Sequence, residues 1–229
     1  MKNIVIIGAS SGIGKATAAL LSVEGYNVYG TYNSGEIAGD IQGQQLDVTD
    51  GVIDSSTLPD QIDGLIYCPG SINLKPFNRI KPESFAEDFN LQVLGAIKTI
   101  QTLLPNLKKS EQASIVLFST VAVQSGFNFH SQVSVSKGAI EGLTKALAAE
   151  FAPQMRVNAI APSLTHTPLA SKLLSTDEKI EANGKRHPLQ RIGTAEDIAE
   201  MARFLISDKS SWITGQIMHV DGGMSTLKA

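Results

Sequence analysis

Gly8-Ala9-Ser10-Ser11-Gly12-Ile13-Gly14 joins the apolar run Lys2–Ile7 to Gly12–Val23, where apolar residues recur at helical spacing. The run has the unbroken β-branched character of a strand buried on both faces. Glycines let the chain turn tightly and let a ligand approach the backbone closely. The helix that starts there offers free N–H groups and the positive end of its dipole, which suits a pyrophosphate. Ser10 and Ser11 add hydroxyl donors. The plainer alternative is a tight turn that needs only small residues.

Outward from this turn, β-branched runs keep alternating with helical patterns. Asn27–Tyr32, Gln44–Leu46, Gly64–Cys68, Ala113–Ser119, Met155–Ala161 and Gln216–Val220 read as strands. Pro82–Leu104 reads as one long helix, with Pro82 in its first turn and Pro105 beyond its end, and Ser131–Phe151 as a second. The alternation predicts an α/β fold: a single-domain, doubly wound parallel sheet of about seven strands with helices on both faces, spanning 1–229. Residues 165–192 carry charge and no clear period. They are expected beyond the carboxyl ends of the strands, as a substrate lid or as a plain surface loop.

Bulk composition narrows the function classes. The 229 residues are 42% hydrophobic, enough for one sizeable core. Net charge is −3 and no basic cluster exceeds Lys108-Lys109, so no nucleic-acid partner is expected. The one cysteine, Cys68, cannot form an intramolecular disulfide, which agrees with a reducing compartment. The apolar run Ile4–Ile7 is too short for a signal peptide and no stretch approaches membrane-spanning length. The expectation is a cytoplasmic protein without membrane or metal partner.

The glycine spacing, together with motifs further along, resembles the short-chain dehydrogenase/reductase family in its classical type. Leu46-Asp47-Val48-Thr49 resembles the family segment that holds the adenine, through Asp47 and Val48. Pro69-Gly70 ends the fourth strand where the family usually has Asn-Asn-Ala-Gly. Ser136-Lys137-Gly138-Ala139 resembles the start of the active-site helix. Val157-Asn158-Ala159-Ile160-Ala161-Pro162 is similar to the sixth strand, and Thr167-Pro168 to the threonine that holds the nicotinamide carboxamide. Arg191-Ile192-Gly193, Ile213-Thr214-Gly215-Gln216 and Val220-Asp221-Gly222-Gly223 match the C-terminal signature. The resemblance covers the whole chain. It implies a Rossmann-like fold, an NAD(P)(H)-dependent carbonyl/alcohol oxidoreductase acting on a small molecule, and a homo-oligomer, tetramer or dimer. The cofactor residues it implies are Gly8, Ser10, Ser11, Gly12, Ile13, Gly14, Asn33, Ser34, Asp47, Val48, Pro69, Gly70, Lys137, Pro162, Thr165 and Thr167.

The catalytic pattern departs from the family. There, a tyrosine protonates the developing alkoxide, a lysine four residues later lies on the same helix face, a serine binds the substrate oxygen, and an asparagine holds a water. Lys137 fits the lysine, but Val133 stands at the tyrosine position, Thr120 at the serine and Gln92 at the asparagine. All four tyrosines, Tyr26, Tyr29, Tyr32 and Tyr67, precede this segment. His130 is the first substitute proton donor, its ordinary pKa lying near physiological pH. A solvated loop histidine is the plainer reading. Three alternatives stay open: another donor, a chemistry without an acid at this point, or a cofactor-binding protein without turnover, such as an inactive subunit. After the second strand, Thr31-Tyr32-Asn33-Ser34 lacks the acid of NAD-preferring relatives, so NADP(H) is favoured over NAD(H).

Overall fold

In the computed structural model, residues 1–37, 39 and 41–227 are described; residues 38, 40, 228 and 229 of the 1–229 span lie outside them. The elements run β1 (Asn3–Ile7), α1 (Gly12–Val23), β2 (Asn27–Tyr32), β3 (Gln42–Gln45), β4 (Gly64–Tyr67), α2 (Pro82–Phe89), a π-helical turn (Asn90–Leu94) and α3 (Gly95–Leu107). They continue with β5 (Ala113–Phe118), α4 (Ala122–Ser125), α5 (Ser131–Phe151), β6 (Met155–Pro162), β7 (Thr165–His166), α6 (Asp177–Gly184), β8 (Gly193–Thr194), α7 (Ala195–Ile206) and β9 (Ile217–Val220). Seven strands form one parallel sheet in the order β3-β2-β1-β4-β5-β6-β9. The short pair β7–β8 stands apart. This is the Rossmann-like, single-domain α/β fold expected.

Alternation along each strand explains the layers. Val5, Ile7, Leu65, Ile115 and Val157 project to one face and pack under Ile100, Leu103 and Leu107 of α3 and Ile140 of α5. Ile4, Ile6, Ile66, Val116 and Ile160 project to the other, under Leu21 of α1 and Ile198, Ala202 and Leu205 of α7. The chain leaves β1 toward β2 and β3, then returns to β4 on β1's other side. That reversal opens a crevice at the carboxyl end of β1, where the glycine turn lies.

The predicted long helix differs in two ways. Its α geometry is interrupted at Asn90–Leu94, and it runs through Pro105 to Leu107. Pro105 gives up a bond to the exposed Gln101 position, where water can serve the carbonyl. Continuing the helix keeps Leu107 fully buried beside Leu103, worth about 1.5–3 kcal/mol. The segment 165–192 is also more regular than its sequence: Thr176 caps α6, and Ala170, Leu174 and Ile192 form a small core of their own.

A side chain on Gly14 would begin 2.1 Å from the Gly8 carbonyl oxygen. Gly14→Ala is therefore expected to lower unfolding stability by at least about 2 kcal/mol, measured by urea denaturation. An unchanged midpoint would show that the turn relaxes freely.

Candidate active site

The turn between β1 and α1 is built for close approach. Gly8 and Gly12 have φ of +80° and +51°, which disfavour side chains. Gly8 N–H donates to Thr31 Oγ1 at 3.1 Å and Ala9 N–H to the Thr31 carbonyl at 2.8 Å, fixing the turn to β2. Ser11 stands at the N-cap but makes no side-chain cap, so the hydroxyl is not spent on the helix. A Cβ on Gly12 would lie 3.4 Å from Thr167 Cβ, so the turn abuts the segment after β6.

A cavity of about 290 Å³ opens at the carboxyl ends of β1, β4, β5 and β6. Of the residues expected from sequence, Ile13, Gly70, Thr120, His130, Lys137, Pro162, Thr165 and Thr167 line it. Gly8, Ser10, Ser11, Gly12, Gly14, Asn33, Ser34, Asp47, Val48 and Pro69 lie outside its wall. Among them Asn33 and Ser34 are exposed after β2. Asp47 accepts from Thr49 N–H and Oγ1 at 2.9 and 2.6 Å, which hold its carboxyl below the usual range. Val48 is buried against Gly95. His166 is exposed and outside the cavity.

Helix α5 presents Val133 and Lys137 one turn apart, both on the cavity wall. Burial pushes the Lys137 ammonium down to about 8, against the opposing pull of Asp88 and Cys68. Lys137 takes part in none of the ion pairs among the described residues. Thr120 Oγ1 accepts from Ala122 N–H at 3.3 Å, which leaves its own hydrogen to give. Val121 N–H donates to the Pro162 carbonyl at 3.2 Å, tying the ends of β5 and β6 together. His130 ends the loop before α5, with Nδ1 2.7 Å from the Asn128 carbonyl and its ring against Phe127.

Sequence reasoning missed a buried carboxylate. Asp88 accepts from Ser71 Oγ, from Ser136 Oγ at 2.5 Å, and from Gln92 Nε2 at 2.8 Å to both oxygens. Gln92 lines the cavity and is 1% exposed, and its buried Oε1 has no partner among the described residues. Asp88 lies four residues before Gln92 on the same helical face, the signal that could have found it. Asn90 instead donates to the Thr49 carbonyl at 3.3 Å, away from Gln92. Among the described residues no tyrosine lines the cavity. Tyr67 is buried, donates to the Leu91 carbonyl at 2.6 Å, and has its phenol pushed up by burial. Among the described residues no helix is long and apolar enough to cross a membrane, and no cluster of metal-ligating side chains occurs.

Comparison with known proteins agrees with this geometry. A family model described as enoyl-(acyl carrier protein) reductase matches residues 8–225. The chain is 32% identical to the 3-oxoacyl-(acyl-carrier-protein) reductase FabG of Thermotoga maritima, over 97% of each chain. Among solved structures, the ligand-free aldohexose dehydrogenase of Thermoplasma acidophilum superposes with a TM-score of 0.91 at 28% identity, covering 99% of this chain and 95% of that one. ElxO with NADP bound gives a TM-score of 0.87 at 27% identity, covering 99% of each chain.

The lowered Lys137 pKa has a direct readout. In brief acylation pulses followed by peptide mass spectrometry, Lys137 should gain reactivity through pH 8, well before ordinary lysines near 10.5. Titration of Lys137 together with the surface lysines would contradict the assigned environment.

Proposed function

The chain belongs to the short-chain dehydrogenase/reductase family, and on that premise we propose that it is an NAD(P)(H)-dependent oxidoreductase that interconverts a small-molecule carbonyl compound and its alcohol. The observation that carries this reading is one cavity lined by Ile13 of the glycine turn, Lys137 and Thr167, with Gly12 packed against Thr167. The residues fit a dinucleotide. Gly14 leaves no room for a side chain, Ser11 leaves its hydroxyl free, and Gln92 Oε1 is a buried acceptor without a donor. When bound, the nicotinamide supplies or accepts the hydride.

The chain's own groups do the rest. Gly8, Ser10, Ser11, Gly12, Ile13 and Gly14 hold the pyrophosphate at the start of α1. Asp47 and Val48 flank the adenine, and Pro69, Gly70, Pro162, Thr165 and Thr167 border the nicotinamide half. Lys137 Nζ holds the ribose hydroxyls and puts positive charge beside the reacting oxygen. Thr120 donates its free hydroxyl hydrogen to that oxygen. We favour NADP(H), because Asn33 and Ser34 offer hydrogen bonds and no carboxylate to a 2′-phosphate. The segment 165–192 walls the cavity and acts as the substrate lid. Cytoplasmic homo-oligomers would join through α3, with the π-helical turn before it, and α5, where Leu94 of the turn and Val135 of α5 are exposed apolar residues.

Val133 takes the position of the family's tyrosine and brings no proton. Loss of a general acid costs about a hundred- to ten-thousand-fold. That observation supports the second reading, a cofactor-binding protein without turnover. His130 is one group able to hand over the proton instead, and an unchanged rate in His130→Ala removes it. NADPH consumption with a panel of ketones and aldehydes, wild type beside Val133→Tyr, separates the readings. Turnover by wild type is expected, with Val133→Tyr faster by at least about tenfold. Silence from wild type with activity in Val133→Tyr makes the second reading correct. Saturable NADPH binding is expected in both, weakened about tenfold by Lys137→Ala; no binding contradicts the proposal.

A further inference from the structure

Most protic side chains on the cavity wall have already committed their hydrogens. Ser71 donates to Asp88, Ser119 to Glu141 at 2.6 Å, Thr165 to the Ser163 carbonyl at 2.9 Å, and Thr167 to the Thr165 carbonyl at 3.4 Å. One hydroxyl is instead wired to a titratable ring. Ser163 Oγ lies 2.8 Å from His187 Nε2, and both residues line the same cavity as Thr120, Val133 and Lys137.

The environment of His187 settles its tautomer. Nδ1 lies 2.9 Å from the backbone carbonyl of Asn183, which can only accept, so Nδ1 carries a hydrogen. In the neutral ring Nε2 is then the acceptor and Ser163 Oγ–H the donor. His187 is 2% exposed, and its backbone N–H donates to the Gly184 carbonyl at 3.0 Å. A hydroxyl, a base and an orienting acceptor thus form a chain of the kind that activates hydroxyl groups. Ser163 follows Pro162, whose carbonyl is held by Val121 N–H, and with Thr120 it lines the cavity just beyond the end of β6.

We propose that Ser163 and His187 form the proton relay that serves the substrate oxygen where Val133 has no proton to give. The proposal rests on the oxidoreductase reading. In reduction, the carbonyl carbon gains the hydride supplied by the reduced nicotinamide, and the electron pair of the C=O bond moves onto oxygen. That oxygen takes the proton of Ser163 Oγ. Ser163 takes one in turn from Nε2 of the His187 imidazolium, which becomes neutral and is recharged from solvent. In oxidation the alcohol proton passes to Ser163 Oγ as the Ser163 proton passes to Nε2, the direction for which the neutral pair is already set.

The experiment crosses two backgrounds. Ser163→Ala and His187→Gln are each made in wild type and in Val133→Tyr, and assayed by NADPH consumption with the carbonyl panel. In wild type each should lower kcat by about a hundredfold or more. In Val133→Tyr, where the phenol supplies the proton, each should cost less than about threefold. Equal losses in both backgrounds would mean that the pair only braces the cavity wall, and would overturn the relay. Unchanged rates in wild type would overturn it as well, as would silence of wild type beside an active Val133→Tyr. The cofactor-free protein gives a separate readout: the ¹⁵N resonance of His187 should report an unprotonated Nε2 that moves on Ser163→Ala. A protonated Nε2, or no movement, contradicts the pair. Failure of the oxidoreductase reading shows itself differently, as absent NADPH binding in every variant.

Discussion

The Gly8 carbonyl oxygen and the Gly14 Cα approach so closely that no side chain fits between them. This contact lets α1 start directly over the end of β1, at the place where the order of strands reverses. Everything at the carboxyl edge of the sheet is arranged around it. The first helical turn starts at this edge, and Thr167 packs against Gly12 there. A side chain at Gly14 would push α1 away from β1 and separate the two halves of the site.

A second constraint is electrostatic. Asp88 is a buried carboxylate satisfied by donors from three stretches of chain: Ser71 after β4, Gln92 in the π-helical turn and Ser136 in α5. A buried charge is tolerated only when hydrogen-bonded in this way. The cluster locks the Gln92 amide with its nitrogen toward Asp88, which leaves Oε1 buried beside Gly70. It also sets negative charge near Lys137 and partly offsets the burial that lowers its pKa. The cavity-facing wall of α5 is thereby fixed to α2 and the π-helical turn.

Much of the fold was legible because its signals are local. Ile4–Ile7, Ala113–Phe118 and Met155–Ala161 are apolar at nearly every position, as strands covered on both faces must be. The glycine turn and the boundaries of α5 were read from spacing alone. Other features depend on tertiary contacts. The π-helical turn leaves no mark in the sequence, since its Leu91 carbonyl is held by Tyr67 from β4. Pro105 reads as a stop because the burial of Leu107, which works against it, is not local. α7 is not among the helices expected from sequence, although Thr194 and Asp197 form a capping box there. Thr120, Lys137 and Val133 were found through the family pattern. Ser163 and His187 stand apart in the chain, and only the fold brings them within hydrogen-bond distance.

The most direct test of a single dinucleotide site is backbone hydrogen exchange with and without saturating NADPH, read by mass spectrometry. The expected result is slowed exchange in two stretches at once, residues 9–15 of the glycine turn and residues 163–170 after β6. The other strand ends should change less. Exchange left unchanged in the glycine turn would contradict the account, even if the segment after β6 responded.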